Sequence, residues 1–240
     1  MADIKKTEFR DFSIYQLSSK HVEPPVLIDR FLKSPLLEQR GRGGIRLITI
    51  DNRRIACRKY IHGGILRALT KDYFISDKRA LDELKIIQYL KKEGFPVIEP
   101  YCAMIRKDSF LRKLHILTVF EEDSADLVDY LKKASAKTRL RIIKKLAYHF
   151  RDMEKLGIYH PDLHLNNILV TKEKKMIFLD FDRAEKKQIT PKDMEKMFWR
   201  LNRYADKMAR QVSLNITKNE KLLFLRAYQR LSGYDIISAM

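Results

Sequence analysis

The chain has 240 residues, 45% hydrophobic and 33% charged, with only 8 glycines and 7 prolines; this excludes a disordered chain and leaves room for one domain or two small lobes. Lys and Arg outnumber Asp and Glu by 49 to 31, a net charge of +18 spread along the whole length. Polyanionic partners (nucleic acid, phospholipid headgroups or a phosphorylated glycolipid) or a lysine-rich solvated surface follow from it. No apolar run approaches the roughly 18–20 residues that cross a bilayer. Residues 1–6 lack the apolar core of a signal peptide. Two cysteines, Cys57 and Cys102, support neither a disulfide framework nor a zinc site. A reduced, cytoplasmic protein with no disulfide partner is expected.

In chain order, Phe9, Phe12, Ile14 and Tyr15 suit a strand, Pro24-Pro25 breaks the chain, and residues 26–32 suit a short amphipathic helix. Arg40-Gly41-Arg42-Gly43-Gly44 ahead of β-branched residues reads as a hairpin tip feeding a strand. Glycine there lets backbone N–H groups approach phosphate oxygens; a plain tight turn fits equally. Asp51-Asn52 is the next turn and residues 55–60 the next strand. On it Ala56 and Arg58 share a face, and register decides whether Arg58 or Lys59 reaches nucleotide phosphates. His62-Gly63-Gly64 is a further link, and residues 65–74 a loop or short helix. Ser76 is placed as the N-cap of a helix through Leu81, Leu84, Ile87 and Leu90 that ends at Gly94. Glu83 on this helix is either a surface glutamate or the ion-pair partner of the strand's basic residue. Residues 95–100 are extended around two prolines. Residues 101–106 and 114–121 form paired strands, leading to a loop whose backbone suits an adenine edge.

From Asp126 the pattern turns helical. Leu127, Val128 and Leu131 mark a short helix. Leu140, Ile143, Ala147, Phe150 and Leu156 form the apolar face of a longer one stopped by Gly157. Thr190-Pro191-Lys192-Asp193 opens a long helix through Met194, Met197, Phe198, Leu201, Tyr204 and Met208. A last helix covers about residues 219–231 and ends at Gly233. The expected fold class is α+β: a β-rich lobe with one main helix over residues 1–121, and a mostly helical lobe over 122–240.

Between the longer helices lies His160-Pro161-Asp162-Leu163-His164-Leu165-Asn166-Asn167, then an apolar run, a basic turn, a second apolar run and Asp180-Phe181-Asp182. Loop, strand, hairpin, strand and carboxylate in that order bring an acid, an amide and a second acid to one site. Phosphoryl transfer from nucleotide–magnesium needs such a set. Asp162 is the candidate base for the acceptor hydroxyl. Asn167 and Asp180 are hard oxygen ligands suited to Mg2+. His160 is expected to pack under the loop and bond backbone, and Asn166 to serve as a turn residue. His164, which ordinarily titrates near neutrality, is a candidate phosphate contact. Asp182 is a further acid, a metal contact or a cap. A polar loop capped by two aspartates is the plainer reading.

These residues resemble the lipopolysaccharide kinase family, most of all its 3-deoxy-D-manno-octulosonic acid (Kdo) kinases, over roughly residues 38–235. Arg40-Gly41-Arg42-Gly43 is similar to the family's nucleotide loop, and Cys57-Arg58-Lys59-Tyr60-Ile61-His62-Gly63-Gly64 to its Leu-Arg-His-Tyr-x-x-Gly-Gly run. Glu83 with Gly94-Phe95-Pro96-Val97 resembles its helix ending in Gly-x-Pro-Val. Residues 159–169 resemble its catalytic loop, and Leu179-Asp180-Phe181-Asp182-Arg183 its Ile-Asp-Phe-Asp-Arg, where protein kinases have glycine at position 182. His164 stands where the family has asparagine, Asn166 where it has histidine, and Arg58 where ordinary kinases have a strand lysine.

The resemblance implies a two-lobed protein-kinase-like fold in which Gly41, Arg42, Gly43, Arg58 and Glu83 bind the nucleotide. Asp162 is then catalytic, and Asn167 and Asp180 hold the metal. It implies ATP and Mg2+ as cofactors and transfer to a Kdo hydroxyl, the 4-hydroxyl, of Kdo-lipid A precursor in lipopolysaccharide biosynthesis. Location would be peripheral, at the cytoplasmic face of the inner membrane. The anionic glycolipid and the anionic membrane surface are the partners, and nucleic acid is not. A core heptose kinase of the same family, a small atypical protein kinase, or a non-catalytic polyanion-binding module are the alternatives.

Overall fold

The computed structural model describes residues 4–17, 22–37, 44–62 and 72–233. The chain divides into two compact units, Met1–Tyr89 with Ile98–Glu122, and Leu90–Val97 with Asp123–Met240. The α+β expectation holds: the first unit is built on an antiparallel sheet, and the second is mainly helical.

Among the described residues, the sheet of the first unit has seven strands: β1 (Ile4–Phe9), β2 (Phe12–Leu17), β3 (Leu36–Leu37), β4 (Ile45–Ile50), β5 (Arg53–Lys59), β6 (Pro100–Asp108) and β7 (Leu111–Val119). Their order across it is β1-β2-β6-β7-β5-β4-β3. The tight links use residues that tolerate left-handed backbone. Asp51 and Asn52 (φ 48° and 61°) join β4 to β5, and Ser109 (φ 56°) sits at the β6–β7 tip. Strand alternation sorts the apolar residues to two faces. Ile14, Ile55, Cys57, Met104 and Leu117 pack with Leu27, Ile28 and Phe31 of α1 (Pro24–Lys33). Ala103, Ile105, Leu114 and Ile116 pack with Ala80 and Leu84 of α2 (Lys78–Lys92). Pro24 and Pro25 do not break the chain but open α1, where a missing N–H costs nothing and the ring φ is already helical. Ser76 Oγ accepts the Lys78 N–H (3.2 Å), although Asp77 stands between it and the first helical residue.

The second unit holds α3 (Leu127–Lys133), α4 (Ala136–Lys155), α5 (Pro191–Val212) and α6 (Lys218–Ser232). Each starts on a side-chain cap: Asp126, Ser135, Thr190 and Thr217. Thr190 with Asp193, and Thr217 with Glu220, close full capping boxes. Phe150, Phe198, Phe224 and Tyr228 form an aromatic cluster joining α4, α5 and α6, three of its ring pairs edge-to-face and Phe150–Phe198 tilted. Arg139 ties the α6 start to α4 by donating to Glu220 (2.6 and 2.9 Å) and to the carbonyls of Leu131 and Asn215. Leu140, expected in the core, is 44% exposed. The buried face of α4 runs through Ile142, Ile143, Leu146, Ala147, Phe150 and Met153, an arc centred roughly 90° around the helix from Leu140. Small sheets complete the unit: β8 (Ser124–Asp126), β10 (Ile168–Thr171) and β11 (Met176–Phe178) in the order β11-β10-β8, and β9 (Ile158–Tyr159) with β12 (Glu185–Lys186).

Gly157 links α4 to β9 at φ +70°, and a Cβ there would stand 2.8 Å from the Lys187 carbonyl oxygen. Gly157→Ala therefore adds both backbone strain and a backbone clash. A destabilisation of about 2 kcal/mol, seen as a Tm lower by about 4–8 °C, is expected in a thermal melt. A Tm within about 1 °C of the parent would refute this account of the turn.

Candidate active site

In the first unit, Arg58 leaves β5 on the side of Tyr60 and α2, opposite Ile55 and Cys57. Its guanidinium donates to both oxygens of Glu83 (2.7 Å each), and the Tyr60 hydroxyl donates to the same carboxylate. The guanidinium also lies over the Tyr60 ring, 4.8 Å from its centre. Glu83 is only 2% exposed, which rules out the surface reading. A carboxylate so buried needs paired, hydrogen-bonded partners, and it has them. Register gives Arg58, not Lys59, to Glu83; Lys59 pairs with Asp72 (2.9 Å). Gly41, Arg42 and Gly43 lie outside the described residues.

In the second unit, β9 delivers the chain to a loop whose apolar residues all turn inward. Leu163 and Leu165 are buried, and His160 is fully buried against Phe181, ring centres 5.1 Å apart. Neither His160 nitrogen has a well-formed hydrogen bond, though the Leu179 and Asp180 backbone lies beside the ring. Burial lowers its pKa against the opposing pull of Asp180 and Asp162, so it is a neutral wedge packed under the loop as expected, without the well-formed backbone bond expected of it. A 3-10 turn at Leu165–Asn167 then turns the chain into β10. In the β10–β11 hairpin Ile168 stands opposite Phe178. One residue further out, the Leu179 N–H donates to the Asn167 carbonyl (2.8 Å). Asn167 and Asp180 thereby leave the same end of the hairpin.

The Asn167 side-chain amide donates to the Asp162 carbonyl (3.3 Å), which leaves its oxygen as the outward end. Asp180 takes φ +60°, a conformation that Asp and Asn adopt more readily than other non-glycine residues. An amide oxygen and a carboxylate carried at the same end of one hairpin are hard donors of the kind a Mg2+ ion prefers, with water and phosphate completing its shell. Asp162, Asn167 and Asp180 are thus brought together in one unit, and Arg58 and Glu83 in the other.

Two residues on α5 belong to this loop although sequence reasoning placed neither there. Arg200 ion-pairs with Asp162 Oδ1. The Tyr204 ring stacks on His164 (4.2 Å, 8° between planes), and its hydroxyl donates to Asn166 Oδ1 (3.0 Å). Asn166 in turn donates to Asp126, the cap of α3 (3.5 Å), so it is a brace and not merely a turn residue. Burial pushes the His164 pKa down to about 4, with Arg200 adding to the drop. His164 is therefore neutral near pH 7 and is a stacking platform, not the cationic phosphate contact its position suggested. The available signal was the spacing of Arg200 and Tyr204, one turn apart and flanking the Met/Phe stripe of α5.

A sequence model of the lipopolysaccharide kinase (Kdo/WaaP) family matches residues 32–228. A Vibrio cholerae protein described as 3-deoxy-D-manno-octulosonic acid kinase is 27% identical over 148 residues, 60% of this chain and 62% of the relative. The match thus spans about three fifths of that relative's length. A Xylella fastidiosa protein of the same description is 24% identical over 192 residues, 78% of this chain and 76% of the relative. Among solved structures, the Cydia pomonella granulovirus kinase PK-1 superposes with a TM-score of 0.49 at 14% identity, over 88% of this chain and 72% of that one.

Burial also holds His115 and His149 at about 4, against an ordinary value of 6.5. With His164 they refuse protons that the unfolded chain accepts, so their contribution is whole above pH 6.5 and is lost as pH falls toward about 4. Tm should therefore decline steadily from about pH 6.5 to 4.5. His164→Phe, which keeps a ring against Tyr204, should flatten part of that slope. Calorimetry showing a level Tm across the window would contradict the assignment.

Proposed function

The chain belongs to the lipopolysaccharide kinase (Kdo/WaaP) family, and from that premise we propose that it is an ATP-dependent kinase acting on a Kdo hydroxyl, the 4-hydroxyl, of Kdo-lipid A precursor. The observation that carries the reading is the joint placement of Asp162, Asn167 and Asp180 by one loop and one hairpin. The relatives described as Kdo kinases support the choice of acceptor.

In this reading Asp162 accepts the proton of the acceptor hydroxyl and aims its oxygen, while Arg200 holds the other side of the carboxylate. Asn167 and Asp180 would hold Mg2+, which would offset the charge developing on the phosphoryl group that ATP donates. Arg58, fixed by Glu83 and Tyr60, is the first unit's candidate cation for nucleotide phosphates. The acceptor's phosphates and carboxylate suit a chain of net charge +18. No described helix is long and apolar enough to cross a membrane. Work at the cytoplasmic face of the inner membrane, on an anionic leaflet, fits that finding and the acceptor.

With ATP, Mg2+ and Kdo-lipid A precursor, mass spectrometry should find one added phosphate on Kdo. Phosphate on heptose instead would move the protein to a sibling activity, and phosphate on neither would overturn the reading. Asp162→Asn should lower kcat roughly 10²–10⁴-fold with the melt unchanged; near-parental turnover would remove Asp162 from the base role. Asp180→Asn keeps a residue that tolerates positive φ, so folding should persist while the Mg2+ requirement rises at least about tenfold. An unchanged Mg2+ dependence would refute Asp180 as a ligand.

A further inference from the structure

Helix α5 uses three sides of its surface for three purposes. Met194, Met197, Phe198, Leu201, Ala205 and Met208 are buried. Arg200 and Tyr204 meet the Asp162 loop on one flank. The remaining side carries Lys192, Lys196, Trp199, Arg203, Lys207 and Arg210, spaced three or four apart and so on one face. All six are exposed, and the stripe runs about 27 Å along the helix at 1.5 Å per residue. Trp199 at its middle is 56% exposed and is the chain's single tryptophan. The Arg203 guanidinium lies over its ring at 4.8 Å, which keeps the indole on the surface and flanked by positive charge. The nearest acid on the stripe's edge, Asp206, is taken by Lys221 (2.6 Å).

We propose that this outer face of α5 docks on an anionic lipid leaflet, with Trp199 entering the headgroup layer and the flanking Lys and Arg residues meeting lipid phosphates. Five cations in line around one central indole have the make-up of a helix lying in the interface plane, where tryptophan prefers the boundary and each cation is drawn to negative headgroups. A buried indole would have had to find a hydrogen-bond partner; an exposed one at the membrane boundary needs none from the protein. The face deepens the membrane-surface part of the proposed function by naming what meets the lipid. It also sets the docking surface on the same helix as Arg200, so lipid engagement holds the Asp162 side of the unit near the leaflet.

Trp199 fluorescence reports docking directly. The full chain, without nucleotide or acceptor, is titrated with vesicles of pure phosphatidylcholine and of phosphatidylcholine with about one third phosphatidylglycerol. Anionic vesicles should blue-shift the emission and carry the protein down on sedimentation, and about 0.5 M salt should release it. Lys196→Glu with Arg203→Glu should weaken sedimentation at least about tenfold, and Trp199→Ala several-fold. Arg141→Glu with Lys144→Glu, an equal charge change on exposed positions of α4, should leave it close to the parent. Equal losses from the α4 and α5 pairs would overturn the proposal in favour of diffuse attraction by net charge. So would emission that stays fixed on anionic vesicles, or an α5 pair that loses RNA binding while keeping vesicle binding. Because the vesicles contain no Kdo, failure here is distinct from failure of the kinase reading. Unchanged melts and unchanged turnover on a detergent-dispersed acceptor show that the α5 variants fold.

Discussion

The backbone bond from the Leu179 N–H to the Asn167 carbonyl is the constraint on which the site depends. It extends the β10–β11 pairing by one step and fixes which side chains leave the hairpin together. A slip of one residue would exchange inward and outward positions along the slipped strand. Ile168, Val170, Met176 and Phe178 are all buried, so the apolar content of the hairpin enforces the register that the polar residues need. Asn167 then passes the placement on to the Asp162 backbone through its own amide. A hydrophobic core of ordinary kind thus sets the spacing of two acids and an amide.

Each unit meets the cost of burying charge in a different way. In the first, Glu83 stays a carboxylate because Arg58 and Tyr60 satisfy it from the neighbouring strand. In the second, His160 and His164 shed their charge under desolvation, although the acids nearby pull the other way. Positive charge beside the loop comes instead from Arg200, which pairs with Asp162. The two histidines therefore add no charge to the loop near neutrality.

Helix α5 ties these features to the surface. Its capping box and first-position proline start it at a defined residue, and its Met and Phe stripe fixes its rotation against α4 and α6. Once the rotation is fixed, Arg200 and Tyr204 must face the loop, and the Lys192–Arg210 stripe must face solvent. The rotation also explains the stacking of Tyr204 on His164, a contact between residues forty positions apart in the chain.

Much of this was legible in the residues themselves. The α+β class, the turn at Asp51-Asn52, the Thr190 cap and the end at Gly233 follow from local chemistry that acts within a few residues. The Asp162 loop and the hairpin after it were legible too, because Asp162, Asn167 and Asp180 are linked by short, regular connections. Local signals failed where two structures share them: Pro24-Pro25 stops one helix or starts another, and Leu140 lies just outside the arc that packs. Pairing across distance was open in the sequence. Whether Glu83 took Arg58 or Lys59 depended on strand register, and Arg200 reached Asp162 across 38 residues only through the rotation of α5. Side-chain type and spacing determined which groups were present and which short segments held them. The packing of α5 and the sheet decided which groups met and which were left charged, because desolvation and ion pairing depend on neighbours that only the folded chain supplies.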